Sequence, residues 1–177
     1  NNLSNVITIT VTAPPCAVDA FEDDDSPATS SSIAAASTQT HNNCDDTLDW
    51  VKFTAPVTGV YLATANRSNG SPSITVLESD ATTAAQIQRS EELTKGGTVP
   101  YQASWNAVAG NTYYLKVDDS NNFLSNAGTA YTLTVSQCLI DAFENDDTFG
   151  TAKAAALGVL QTRNHCEDND DWILLNA

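Results

Sequence analysis

The chain has 177 residues, with 22 acidic against 7 basic side chains, a formal charge of -15, 4 cysteines and no methionine. That length leaves room for one domain and part of another. Seven scattered cations beside such an acid excess do not form the basic footprint that phosphate backbones require, which argues against a nucleic-acid partner, and no apolar stretch approaches the roughly 20 residues that span a bilayer.

Taken in order, Asn5-Val6-Ile7-Thr8-Ile9-Thr10-Val11-Thr12 alternates apolar residues with Thr, as a half-buried strand does. Residues 1–15 are expected to hold the closing strand of an upstream domain, with Ala13-Pro14-Pro15 as a stiff linker. Period-two or short apolar runs follow at Trp50 to Phe53, Val60 to Ala65, Ser73 to Leu77, Tyr113 to Val117 and Tyr131 to Val135. Between them lie turn-rich stretches such as Ser68-Asn69-Gly70-Ser71-Pro72 and Ala109-Gly110-Asn111. Several short strands separated by turns predict an all-β, antiparallel sandwich. Helix is suggested only at Ser32 to Ser37 and Thr151 to Leu157, where Ala is a good helix former and a single turn or coil serves as well.

An internal repeat organises the chain. Cys16 to Ala55 aligns without gaps with Cys138 to Ala177 at an offset of 122, with 17 identities in 40 positions. The matches fall on cysteines, acids and aromatics, among them Phe21/Phe143, Asp24/Asp146, Asp49/Asp171 and Trp50/Trp172. The expected organisation is therefore one complete unit at 16–137 and the opening of a second at 138–177. The second lacks a counterpart of Pro56 to Gln137 and cannot close a sandwich alone, so the parent protein continues or another chain completes the core. The missing Met and the missing basic-then-apolar leader fit an excised or processed piece.

Each copy places its cysteines 28 positions apart, and of the three pairings that four cysteines allow, the repeat selects Cys16 with Cys44 and Cys138 with Cys166. Paired cysteines, low Lys content and abundant Ser, Thr, Asn and Asp point to an oxidising, extracellular or cell-surface setting. Zinc is disfavoured because neither C-x-x-C nor a repeated His is present: His41 faces Arg163 and His165 faces Asn43.

The acids concentrate in the repeated segments, which hold 16 of the 22. Each copy carries two sub-clusters, in the first Glu22-Asp23-Asp24-Asp25 and Asp45-Asp46-Thr47-Leu48-Asp49. Two carboxylates about 4 Å apart repel by roughly 4 kcal/mol at an effective dielectric of 20, so a converged cluster calls for protons or a cation. A hard, oxygen-seeking ion suits it, and calcium accepts six to eight oxygens at flexible geometry. The spacing is not that of an EF-hand. The alternative is a solvated acidic face that serves solubility.

The run Asp19-Ala20-Phe21-Glu22-Asp23-Asp24-Asp25-Ser26, then Gln39-Thr40-His41-Asn42, then Asp46-x-x-Asp49-Trp50-Val51-Lys52-Phe53 and Gly59-Val60-Tyr61 resembles the bacterial pre-peptidase C-terminal (PPC) domain. The resemblance covers Cys16 to about Gln137 and restarts at Cys138. It implies a jelly-roll-like β-sandwich of secreted proteases and surface proteins. It also implies calcium ligands at Glu22, Asp24, Asp25, Asp46 and Asp49, and in the second copy at Glu144, Asp146, Asp147, Asp168 and Asp171. The paired cysteines depart from the family's common pattern. Asn1 to Asn5 with the Thr-rich strand after it resembles the end of a CARDB-type adhesion module.

Catalysis is not expected. The two histidines occupy non-equivalent, Asn-rich positions with no nucleophile set against them, and nothing marks the sugar cleft that a carboxylate pair such as Asp46 and Asp49 would need. Trp50 and Trp172 open an inferred strand directly after acids and read as core rather than sugar platforms. Tyr113-Tyr114 places one ring inside and one outside.

Together these features predict a non-catalytic, calcium-stabilised and disulfide-stapled extracellular repeat of an adhesive, surface or fibre-forming protein. Its partners would be neighbouring repeats or identical subunits, including by strand exchange, or an extracellular protein or polysaccharide. The competing expectation is an accessory domain of a secreted hydrolase that binds substrate or assists export.

Overall fold

The computed structural model describes residues 17–42, 44, 48–67, 72–90, 101–119, 130–163, 166 and 171–175. The expected strand at Asn5 to Thr12 and the adhesion-module likeness lie outside the described residues. Within them run β1 (Ser31–Ile33), β2 (Thr38–Asn42), β3 (Leu48–Thr54), β4 (Gly59–Arg67), β5 (Pro72–Leu77), β6 (Gln86–Ser90), β7 (Tyr101–Ala107), β8 (Thr112–Asp119), β9 (Ala130–Gln137), β10 (Lys153–Ala155) and β11 (Ile173–Leu175). There is no helix among the described residues.

Two sheets face each other, one of four strands in the order β1-β3-β8-β5 and one of five in the order β2-β9-β4-β7-β6. All their pairings are antiparallel except β1 with β3. The chain leaves the first sheet at β1, enters the second as β2 and returns as β3, and that excursion lets β1 and β3 run side by side in the same direction. The two segments that suggested helix form the short strands β1 and β10, each followed by a turn. Extended pairing outweighs Ala propensity there: Ser31 to Ile33 register on Val51 to Phe53, and the Ser37 hydroxyl bonds Ala34 O at 2.7 Å to close the turn, with Ala36 left-handed at φ 60°.

Period-two alternation delivers one face of each sheet to the core. Val51, Phe53, Ile74, Val76, Leu115 and Val117 come from one sheet and Ala63, Ala65, Trp105, Leu133 and Val135 from the other, all essentially inaccessible to water. Trp105 lies at the middle of an aromatic cluster, with ring centroids 5.7 Å from Phe53, 5.8 Å from Tyr61 and 6.1 Å from Tyr113. Tyr113 is buried while Tyr114 is half-exposed, as alternation requires.

The second repeat retraces the opening of the first. β10 pairs parallel with β11 in the register of β1 with β3, shifted by 122 at both strands: Ser31 on Val51, Lys153 on Ile173. The packing differs. Trp50 is buried, whereas Trp172 is 45% exposed and meets only the edge of Phe149 at 6.1 Å among the ring contacts, which corrects the expectation that Trp172 is core. Among the described residues β11 has no partner equivalent to β8, and without that strand and its facing sheet there is no interior for its indole to enter.

Candidate functional site

The segment ahead of β1 is pinned to both sheets by its own acids. The Asp19 carboxylate accepts the Phe21 N–H at 2.8 Å and the Asn42 N–H at 2.6 Å, which ties the segment to β2. The Trp50 N–H donates to Asp24 O at 2.8 Å, which ties it to β3. Between these anchors the Asp24 side chain turns inward and is 1% exposed.

Beside Asp24 lies His41, equally buried, its Nδ1 3.8 Å from Asp24 Oδ2. The imidazole is stacked between Phe21, at 4.7 Å, and Tyr131, at 5.3 Å. Its Nε2 shares a 3.2 Å hydrogen bond with Gln39 Oε1, and Gln39 in turn donates to Ser32 O at 2.9 Å. The Tyr131 hydroxyl donates to the buried carboxylate of Asp49.

Burial raises the Asp24 carboxyl to about 6, with the charges of Asp19 and Asp25 adding to the effect and the Ser31 hydroxyl and Trp50 amide opposing it. Burial also lowers His41, against the pull of Asp19. Tyr131 is held well above the ordinary phenol range by burial first and the Asp49 charge second. Asp24 Oδ2 makes no hydrogen bond although it is fully buried, and the Ser31 hydroxyl falls outside hydrogen-bond geometry.

The second repeat builds the same frame around a different base. Phe143 N–H donates to Asp141 Oδ1 at 2.7 Å, and Trp172 N–H donates to Asp146 O at 2.9 Å. At the position of His41 stands Arg163. Its Nη1 donates to Asp146 Oδ2, its guanidinium lies 4.4 Å over the Phe143 ring, and its Nε and Nη2 reach Gln161 Oε1 at 3.3 and 3.1 Å. Gln161 donates to Ala154 O at 3.1 Å, as Gln39 does to Ser32 O. The contacts of Asp19 with Phe21 N–H, of Asp24 O with Trp50 N–H and of Gln39 with Ser32 O thus recur at the offset of 122.

Of the expected metal ligands, the structure gathers Glu144, Asp146 and Asp147, whose ligand atoms lie within 4.8 Å of one another. Among the described residues Glu22, Asp24 and Asp25 do not form such a group: Asp24 is buried, Glu22 half-buried and Asp25 exposed. Asp49 is bonded by Tyr131, and Asp171 is half-buried with its own electrostatic or hydrogen-bond partner. Asp46 and Asp168 lie outside the described residues. The donors on offer are oxygens, which suit a hard cation such as calcium; Asp24 Oδ2 is orphaned, whereas Asp146 in the converged group is already bonded by Arg163.

Cys138 and Cys166 form a disulfide, with Cα atoms 5.6 Å apart. Cys44 is also disulfide-bonded, and its Sγ lies 3.1 Å from Ala17 O; Cys16, the partner the repeat assigns to it, lies outside the described residues.

Sequence reasoning missed Gln39, His41, Tyr131, Gln161 and Arg163. The signal lay in the repeat itself, because Gln-Thr-His-Asn and Gln-Thr-Arg-Asn place a base in the same frame each time. The mismatch of His41 with Arg163, used in sequence as an argument against zinc, also marks one location that both repeats fill with nitrogen.

No family model matches the chain, and no curated protein matches it. Among solved structures it is similar to the pre-peptidase C-terminal domain of a collagenase from Bacillus anthracis, at 16% identity and a TM-score of 0.44 over 60% of this chain and 94% of that one. It is also similar to PliG, a periplasmic inhibitor of g-type lysozyme, from Salmonella Typhimurium at 14% identity and a TM-score of 0.35, covering 60% of this chain and 96% of that one. PliG from Aeromonas hydrophila follows at 13% identity and a TM-score of 0.32, covering 60% and 95%. At these distances any reading of function rests on the chain's own residues.

Proposed function

We propose that the chain is a non-catalytic, PPC-like structural repeat of a secreted or surface protein, in which calcium fastens the leading segment of a repeat to its sandwich. The observation that carries this reading is the recurrence, at one offset, of a segment that buries one acid, Asp24 or Asp146, and whose backbone at that acid accepts the amide of Trp50 or Trp172. A bound calcium would supply positive charge to the buried, orphaned carboxylate of Asp24, which would hold it together with other oxygens of its segment. The chain's residues do the rest: Asp19 and Asp141 fix the turn, the Trp50 and Trp172 amides fix the acid-bearing backbone, and the disulfide closes the loop between them.

Fixing the leading segment fixes the angle at which a repeat leaves its predecessor, so a string of such units becomes a stiff rod suited to adhesive or fibre-forming work. The disulfide favours an oxidising, extracellular or periplasmic compartment. Limited digestion with a Glu-specific protease tests the proposal, because Glu22 and Glu144 lie in the two segments. Calcium is expected to slow cleavage after Glu22 relative to chelator, with cleavage after Glu144 as the internal comparison and without changing cleavage of an unrelated substrate. Equal rates would contradict a calcium-fastened segment.

A further inference from the structure

Superposing the repeats by sequence places two different bases over one kind of acid. In the first, Asp24 Oδ2 is buried and makes no hydrogen bond, and the imidazole Nδ1 stops 3.8 Å short of it. In the second, the guanidinium of Arg163 closes that gap and bonds Asp146 directly. Two neighbours of the base are kept: the aromatic ring beneath it, Phe21 or Phe143, and the Gln two residues earlier that accepts from or shares a proton with it and bonds back to the strand ahead; Tyr131, on the other face of His41, has no counterpart among the described residues. A substitution inside a conserved internal frame isolates the effect of the base.

An arginine is cationic at every pH a protein meets and presents a fork matched to carboxylate. Its charge answers the repulsion among Glu144, Asp146 and Asp147 and repels a dication approaching the same oxygens. We propose that this repeat position decides where a repeat obtains the cation for its buried acid: the second carries its own in Arg163, and the first draws one from solution to Asp24. The inference rests on the calcium reading above and assigns to His41 and Arg163 the selectivity between repeats.

The test is calcium titration calorimetry on the full chain in chelator-treated buffer, comparing wild type with Asp24→Asn, His41→Arg, His41→Gln and Arg163→Gln, each checked for native circular dichroism. Wild type is expected to bind at a site lost in Asp24→Asn. His41→Arg should weaken that site at least about tenfold, the scale of an added like charge near a dication, while His41→Gln should retain it. Arg163→Gln should gain a second site that Asp146→Asn removes in the same background. If His41→Arg does not fold, the gain in Arg163→Gln decides the matter. An Arg163→Gln isotherm identical to wild type, or a folded His41→Arg that binds as wild type does, overturns the assignment while an Asp24-dependent site leaves the calcium reading intact. No calcium binding by wild type overturns both.

Discussion

A carboxyl moved out of water keeps its proton longer, and Asp24 carries that cost for the sandwich. Its folded value of about 6 lies above the ordinary carboxylate value, so between pH 4 and 6 the native state binds more protons than the unfolded chain. By linkage, this group's contribution to stability is greatest at about pH 4 and is lost as pH rises through about 6. The depressed His41 contributes in the opposite sense, costing stability as pH falls below the ordinary imidazole range. In chelator, urea denaturation across pH 4 to 7 is expected to show Asp24→Asn gaining on wild type as pH rises. A difference that stays flat with pH would mean that Asp24 titrates as an ordinary surface acid. At this scale the acids were legible from their recurrence. Their bases were not, because one histidine and one arginine in a polar stretch carry no hydrophobic signal.

Strands that bury apolar side chains announce themselves, and those that bury polar ones do not. β3, β4, β5, β8 and β9 follow from alternation, but β2 turns Gln39 and His41 inward and Thr38 and Thr40 outward, so its two faces look alike in sequence. β7 alternates small residues around Trp105, and β1 is three residues long, too short for any period to register. The turn at Ala109-Gly110-Asn111 was legible from its glycine, which sits at φ 83° with open space where a Cβ would go. Gly110→Ala should therefore cost about 1 kcal/mol of backbone strain alone, read as a lower urea midpoint with an unchanged slope; no loss would show that the turn relaxes to another type. The Cys138–Cys166 bridge closes a separation of 28 residues, which in the chain-entropy model is worth roughly 3 to 4 kcal/mol. Cys138→Ser with Cys166→Ser should accelerate hydrogen exchange at Lys153 to Ala155 and Ile173 to Leu175 while leaving β4 and β9 protected. Unchanged exchange in β10 and β11 would assign their stability to packing instead.

At the scale of the whole chain, 22 acids against 7 bases set a strong self-repulsion, and the fold answers part of it locally. Asp19 and Asp141 are tied to backbone amides, Asp49 to a tyrosine, and Asp146 to Arg163. The all-β sandwich follows from the spacing of strands and turns. The parallel seam between β1 and β3 did not, because it arises from a change of sheet that no local pattern encodes. Whether a cation from solution fastens the leading segment is read out by thermal unfolding of the full chain with calcium, with chelator, and with magnesium at matched ionic strength. At calcium 100-fold above its dissociation constant, linkage adds about 2.7 kcal/mol per site, a rise in Tm of roughly 5 to 10 °C for a chain of this size. That rise is expected with calcium, a smaller one with magnesium and none in Asp24→Asn. An equal Tm in calcium and chelator would contradict it and return the acids to the role of a solvated face.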